Sequence, residues 1–144
     1  MTSIRPDSTT KLRLAWSAIF VYAVTLTYLL LAPHPLWFLG GSGQAIERTV
    51  DHSISGHLQH ALAYTLLGWS LAWVSRTASG ACQWGWVLLA MGHGVAAEWL
   101  QRFVPHRYSG WTDGLANITG VALGALAASL ILQGRSRSAR ESIA

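Results

Sequence analysis

Four stretches of about twenty mostly apolar residues, separated by short runs of helix breakers, constrain this chain more than any other feature. They run from about Leu12 to Ala32, Gly56 to Val74, Ala81 to Phe103 and Trp111 to Leu132. Roughly 20 apolar residues are what one helix needs to cross a bilayer core. Pro33, Pro35 and Gly40–Gly41 fall after the first stretch, Ser75–Gly80 after the second and Pro105–Gly110 after the third. The polar residues Gly41 to Ser55 fit a loop or a short interfacial helix.

Composition agrees. Of 144 residues, 51% are apolar and 11% charged, and mean hydropathy is +0.33. That excludes a disordered chain, which needs low hydrophobicity and high charge. The single cysteine, Cys82, excludes an internal disulfide framework and a Cys-rich zinc module. Ten Lys/Arg scattered through so apolar a chain do not build a nucleic-acid groove, despite a net charge of +4. The first stretch is too long for a signal-peptide core, and LLLAPHP offers no small-x-small cleavage site, so it reads as a retained helix.

Positive charge sets orientation. Arg5, Lys11 and Arg13 precede span one, Arg76 lies between spans two and three, and Arg135, Arg137 and Arg140 follow span four. With four spans these share one side, the cytoplasm; Arg48, Arg102 and Arg107 lie opposite. Trp16, Trp73, Trp84 and Trp86 fall near the inner ends, and Trp37, Trp99 and Trp111 near the outer ends, as interfacial rings do. The expected fold is all-α: a four-helix transmembrane bundle with short loops and both termini cytoplasmic. Residues 1–11 form an N-terminal tail, 12–132 the membrane domain and 133–144 a basic C-terminal tail.

Polar residues inside the spans carry the functional signal, because a central Asp, Lys or Arg costs about 2.5–3.5 kcal/mol to insert. Span two has His57, His60 and Tyr64 on one helical face; span three has Gly94, Glu98 and Gln101; span four has Asp113 and Asn117, continued by Gly120 and Gly124. His60, Glu98 and Asn117 each lie about five residues from the outer end of a span, roughly 7–8 Å deep at 1.5 Å per residue. An outward-facing polar pocket is the simplest arrangement. Gly120 and Gly124 form a small-xxx-small step that lets helix backbones approach closely.

At these residues the sequence resembles the VanZ-like family of small bacterial membrane proteins. In EWLQRFVPHRYSGWTDGLANITGVALG, Glu98, Gln101, Pro105, Arg107, Asp113, Asn117, Gly120 and Gly124 fit the family pattern. In HALAYTLLG, His60, Tyr64 and Gly68 fit its His-x-x-x-Tyr-x-x-x-Gly. The resemblance spans roughly Asp51 to Leu132 and implies a multi-pass protein of the bacterial cytoplasmic membrane, linked to the cell envelope and to low-level resistance to the glycopeptide teicoplanin. Where the family often has Asp-Lys just before the span-two His, this chain has Gly56 and His57, and its nearest acid, Asp51, is displaced.

Each residue has a chemical and a structural reading. Glu98 sits where the helix dipole disfavours negative charge, so it needs a cation, a proton or donors, with Arg107 and His60 as candidate partners. Glu98 and His60 are the catalytic candidates, a general acid/base pair; the alternative is a buried polar cross-link. Arg107 offers a planar fork for phosphate or carboxylate, or an ion pair with Glu98 or Asp113. Asp113, in the first turn of span four, reads foremost as a helix cap. Asn117 and Tyr64 read as interhelical hydrogen-bonding groups. Arg107, Gln101, Asp113, Asn117 and Tyr64 are the ligand-binding candidates. His93, mid-span, reads as a hydrogen-bonded core residue apart from the cluster.

His57, His60, Glu98 and Asp113 have the donor types zinc accepts. No HExxH or other tight ligand motif accompanies them, so the sequence assigns neither metal nor cofactor. No G-x-S-x-G, Walker or dinucleotide motif occurs, and Cys82 lies at the far end. Two functions remain open. One is binding or modification of an anionic envelope lipid, such as an undecaprenyl-linked wall precursor, on the extracytoplasmic side. The other is a non-enzymatic accessory protein whose polar cluster locks the helices. Proton-coupled transport is disfavoured because four short helices enclose little volume unless they assemble as a homo-oligomer.

Overall fold

The computed structural model describes residues 7–32, 54–79, 83–105 and 109–142. They form four α-helices and, among the described residues, no strand: α1 (Ser8–Leu31), α2 (Ile54–Ser79), α3 (Gln83–Gln101) and α4 (Trp111–Glu141).

Local chemistry sets the helix ends. Asp7 caps α1, its Oδ1 accepting from the Thr10 backbone N–H at 2.6 Å and the Thr9 hydroxyl at 2.7 Å. At the other end Ala32 turns to extended backbone, φ −72° and ψ 132°, as a residue before proline prefers. Helix α4 outruns its apolar stretch by nine residues, from Gln133 to Glu141, through a segment rich in Arg and Ser. Hydropathy marks where a chain leaves an apolar medium, not where its hydrogen-bond ladder stops.

Side-chain pairs fix the helix directions. Trp16 packs on Trp86, Thr27 bonds His93, and Gln101 reaches the Leu30 carbonyl, so α1 and α3 run in the same sense. His57 meets Asp113, His60 meets Asn117 and Arg76 meets the Ser129 carbonyl, so α2 and α4 also run together. Tyr22 donates to the Ala63 carbonyl, joining α1 to α2. The chain reverses at every connection.

The tightest interface is α2 on α4. A methyl group at Gly120 would meet the Ala61 carbonyl and lie 3.0 Å from Thr65 N; one at Gly124 would meet the Thr65 carbonyl and lie 2.7 Å from Trp69 N. Gly68 answers from the other side, against the Val121 backbone. The expected small-residue step is thus a backbone-on-backbone seam between parallel helices.

Small and medium side chains fill the centre: Ala72, Ala90, Ala97, Val121, Ala125 and Ala128, with Tyr64 and Leu67. Large apolar side chains point outward, among them Phe20, Leu62, Leu66, Leu88 and Leu123. Helices α1 and α4 are long and apolar enough to cross a membrane. Helices α2 and α3, expected from sequence to do the same, do not reach that level of apolarity. They carry the inward-facing histidines and Glu98, although their outward faces are as leucine-rich as those of α1 and α4.

Candidate functional site

The N-terminal ends of α2 and α4 and the C-terminal end of α3 lie together, and there the polar stripes meet. Asn117 is fully buried and ties three helices together. Its Nδ2 donates to the Gly94 carbonyl at 3.3 Å and to Glu98 Oε1 at 3.5 Å. Its Oδ1 lies 3.1 Å from His60 Nδ1. The Gly94 carbonyl can only accept, so the amide nitrogen must face it and Oδ1 must face His60. A neutral His60 therefore carries its hydrogen on Nδ1 and its lone pair on the other ring nitrogen.

His60 Nδ1 lies 3.6 Å from Glu98 Oε1, with the carboxylate buried and the imidazole about one-fifth exposed (8% and 21% side-chain exposure). The shared depth expected of His60, Glu98 and Asn117 is thus actual contact. Gly114 borders the Glu98 stem; a methyl group there would lie 3.7 Å from Glu98 Cγ, an ordinary contact.

Asp113 departs from its expected role. The N-cap of α4 is Gly110, with no side-chain capping bond, and Asp113 turns instead to His57, with Oδ1 2.6 Å from Nδ1. A carboxylate in a first turn already suits the helix dipole, which leaves its oxygens for a hydrogen-bond donor on the neighbouring helix. His57 therefore supplies, on α2, the side-chain partner of Asp113.

Two other candidates are engaged elsewhere. Gln101, buried, donates from Nε2 to the Leu30 carbonyl at 3.0 Å, satisfying one of the last acceptors of α1. Tyr64, fully buried, pairs through its hydroxyl with His93 Nδ1 at 2.9 Å, and His93 Nε2 meets the Thr27 hydroxyl at 2.8 Å. Thr27, His93 and Tyr64 form a polar thread across α1, α3 and α2. His93 is the hydrogen-bonded core residue expected, while the role of Thr27 was not read from sequence. Gly94 links thread and cluster, because a methyl group there would lie 2.8 Å from Asn117 Cβ and 3.1 Å from the Tyr64 ring. Arg107, His34, His52, His106, Asp51 and the stretch from Gly41 to Ser53 lie outside the described residues.

The arrangement can share a proton between His57 and Asp113, and it holds the His60 imidazole 3.6 Å from Glu98. It can also present two carboxylates and two imidazoles to a guest. Compared with known protein families, curated proteins and solved structures, the chain matches none.

Proposed function

We propose that this chain is a four-pass protein of the VanZ-like type in a bacterial cytoplasmic membrane. Both termini face the cytoplasm, and the polar cluster faces outward, binding or modifying an anionic envelope lipid such as a lipid-linked wall precursor. The observation that carries this reading is the junction of His60, Glu98 and Asn117 at one end of a bundle whose large apolar side chains face out. In water such a surface is an aggregation hazard; in a bilayer it is the solvated face. The alternation of helix directions agrees with four crossings. Two groups of Trp support the ends: Trp16 packs tilted against Trp86 and Arg135 lies over Trp73 at the basic end, while Trp99 and Trp111 are exposed at the cluster end. In this reading Arg107 engages a phosphate, while Glu98 and His60 handle a proton.

A second reading rests on the complete burial of Asn117 and the commitment of Gln101 to α1: the cluster locks the helices, and the protein acts as a non-enzymatic accessory. Glu98→Gln and His60→Gln separate the two. A normal protein level with altered glycopeptide susceptibility supports a functional site; loss of protein supports the lock. Unchanged level and susceptibility in both variants would dismiss the site. A topology fusion that puts the Arg107 loop in the cytoplasm would reverse the outward assignment.

A further inference from the structure

One ring nitrogen of His60, one carboxylate oxygen of Glu98 and one of Asp113 lie within 4.8 Å of one another, contributed by three different helices. Donors around a tetrahedral zinc ion, bound at about 2.0–2.2 Å, stand roughly 3.3 Å apart. The 3.6 Å between His60 Nδ1 and Glu98 Oε1 sets the imidazole beside the carboxylate, with its lone pair on the other ring nitrogen. Small rotations of the His60 and Asp113 side chains, both only partly buried, would bring the three donors to that spacing.

The surroundings are those of ligands held in place. His57 bonds Asp113 at 2.6 Å, and Asn117 bonds both Glu98 and the Nδ1 hydrogen of neutral His60. A metal-binding imidazole characteristically donates its second nitrogen in this way, and ligating carboxylates are themselves hydrogen-bonded. Charge fits as well. Two carboxylates this close, shielded from water, repel each other. Two imidazolium ions would balance them, and so would one divalent cation with both imidazoles neutral.

We propose that His60, Glu98 and Asp113 form a binding site for a divalent transition ion of the zinc class, with His57 and Asn117 as positioning residues. Three protein ligands leave a fourth tetrahedral position open, the pattern of reactive rather than purely structural zinc. An anionic oxygen of a guest would fit there. The ion site needs only the bundle and does not rest on the envelope-lipid reading.

The test uses the full chain purified in detergent without a polyhistidine tag, stripped with chelator and titrated with zinc chloride alone. The expected result is one ion per chain and a thermal midpoint that rises with zinc concentration. Cobalt(II), as a spectroscopic stand-in, should give visible absorption bands of tetrahedral N/O coordination. Glu98→Gln and Asp113→Asn, which keep shape, should each weaken zinc at least tenfold, and His57→Gln about tenfold. His34→Gln and His106→Gln should change nothing. The cobalt spectrum of the unmodified chain keeps the test valid if a variant fails to fold. No retained zinc, an octahedral cobalt spectrum, or binding indifferent to Glu98 and Asp113 would overturn the site. Each of these results leaves the susceptibility experiment free to succeed or fail separately.

Discussion

Replacing Gly120 by alanine adds one methyl group where α4 touches the backbone of α2. The new carbon would lie 3.0 Å from Thr65 N and 3.1 Å from the Ala61 carbonyl carbon, with the Ala61 oxygen closer still. Carbon atoms settle at about 3.5–4.0 Å, so the helices must part locally by about 0.5–1 Å. The neighbours are backbone and cannot swing aside. One turn away, His60 and Asn117 are 3.1 Å apart, and the same displacement carries them to the edge of hydrogen-bonding range. Overpacking costs about 1–3 kcal/mol. The weakened interhelical hydrogen bond adds about 0.6 kcal/mol. Against this, alanine gains about 1 kcal/mol of helix propensity over glycine.

The net expectation is a loss of about 0.6–2.6 kcal/mol, read from unfolding in mixed detergent–SDS micelles by tryptophan fluorescence. Gly92 and Gly134 supply the internal control, because a methyl group at either meets nothing within 4 Å. Alanine there should be neutral or stabilising by up to about 1 kcal/mol. If Gly120→Ala proves as stable as Gly92→Ala, the α2–α4 seam is not the close contact described and the reasoning fails.

Tyr64→Phe keeps the ring and removes only the hydroxyl that meets His93. It should cost about 0.5–1.5 kcal/mol in the same unfolding assay, and a double-mutant cycle with Thr27→Val should be non-additive if the three residues form one thread. Gln101→Leu should destabilise by about 1–3 kcal/mol by leaving the Leu30 carbonyl without its side-chain donor, whereas Gln101→Glu at neutral pH should cost more. Arg135→Ala should remove about 0.5–1 kcal/mol of cation–π attraction to Trp73 and shift tryptophan emission, with Arg135→Lys intermediate. At Asp7, the Thr10 backbone N–H, followed by the Thr9 and Thr10 side chains, holds the carboxyl below its ordinary 3.8. A lowered pKa means that the cap's contribution is fully present above about pH 4 and is lost as pH falls through the depressed value. Hydrogen exchange at Thr10 and Lys11 should therefore accelerate, relative to the middle of α1, only in strong acid. Asp7→Ala should show that acceleration at neutral pH.

Much of this architecture was legible because helices have a fixed rise. Once Glu98 and Asn117 are counted from the ends of their stretches and the stretches alternate in direction, depth follows from arithmetic, and His60 falls at the same level. Rotation about the helix axis does not follow in that way. Glu98 and Gln101 are three positions apart, which puts them on one broad face, yet one turns to His60 and Asn117 and the other to Leu30. The same indeterminacy concealed the Asp113–His57 pair. A first-turn aspartate has a favourable local role, and nothing local announces that a histidine on another helix competes for it. Thr27 was silent because a β-branched residue in an apolar run needs no partner beyond its own helix, and its hydroxyl also bonds the Ala23 carbonyl at 2.8 Å. The start of α4 was readable from Gly110 and Trp111; its overrun to Glu141 was not, since charged residues can continue a helix as readily as end it.

The parallel seam between α2 and α4 has a consequence for biogenesis. Its two halves are not neighbours in the chain, because all of α3 intervenes. While the ribosome is still making α3, the glycine face that α2 needs does not exist, and His57 and His60 have neither Asp113 nor Asn117 to meet. The cluster therefore cannot form before the start of α4 has been made. A chain arrested before Asp113 would leave His57 and His60 without their α4 partners. Completion of the site therefore waits on the first turns of α4, the last of the four helices to be made.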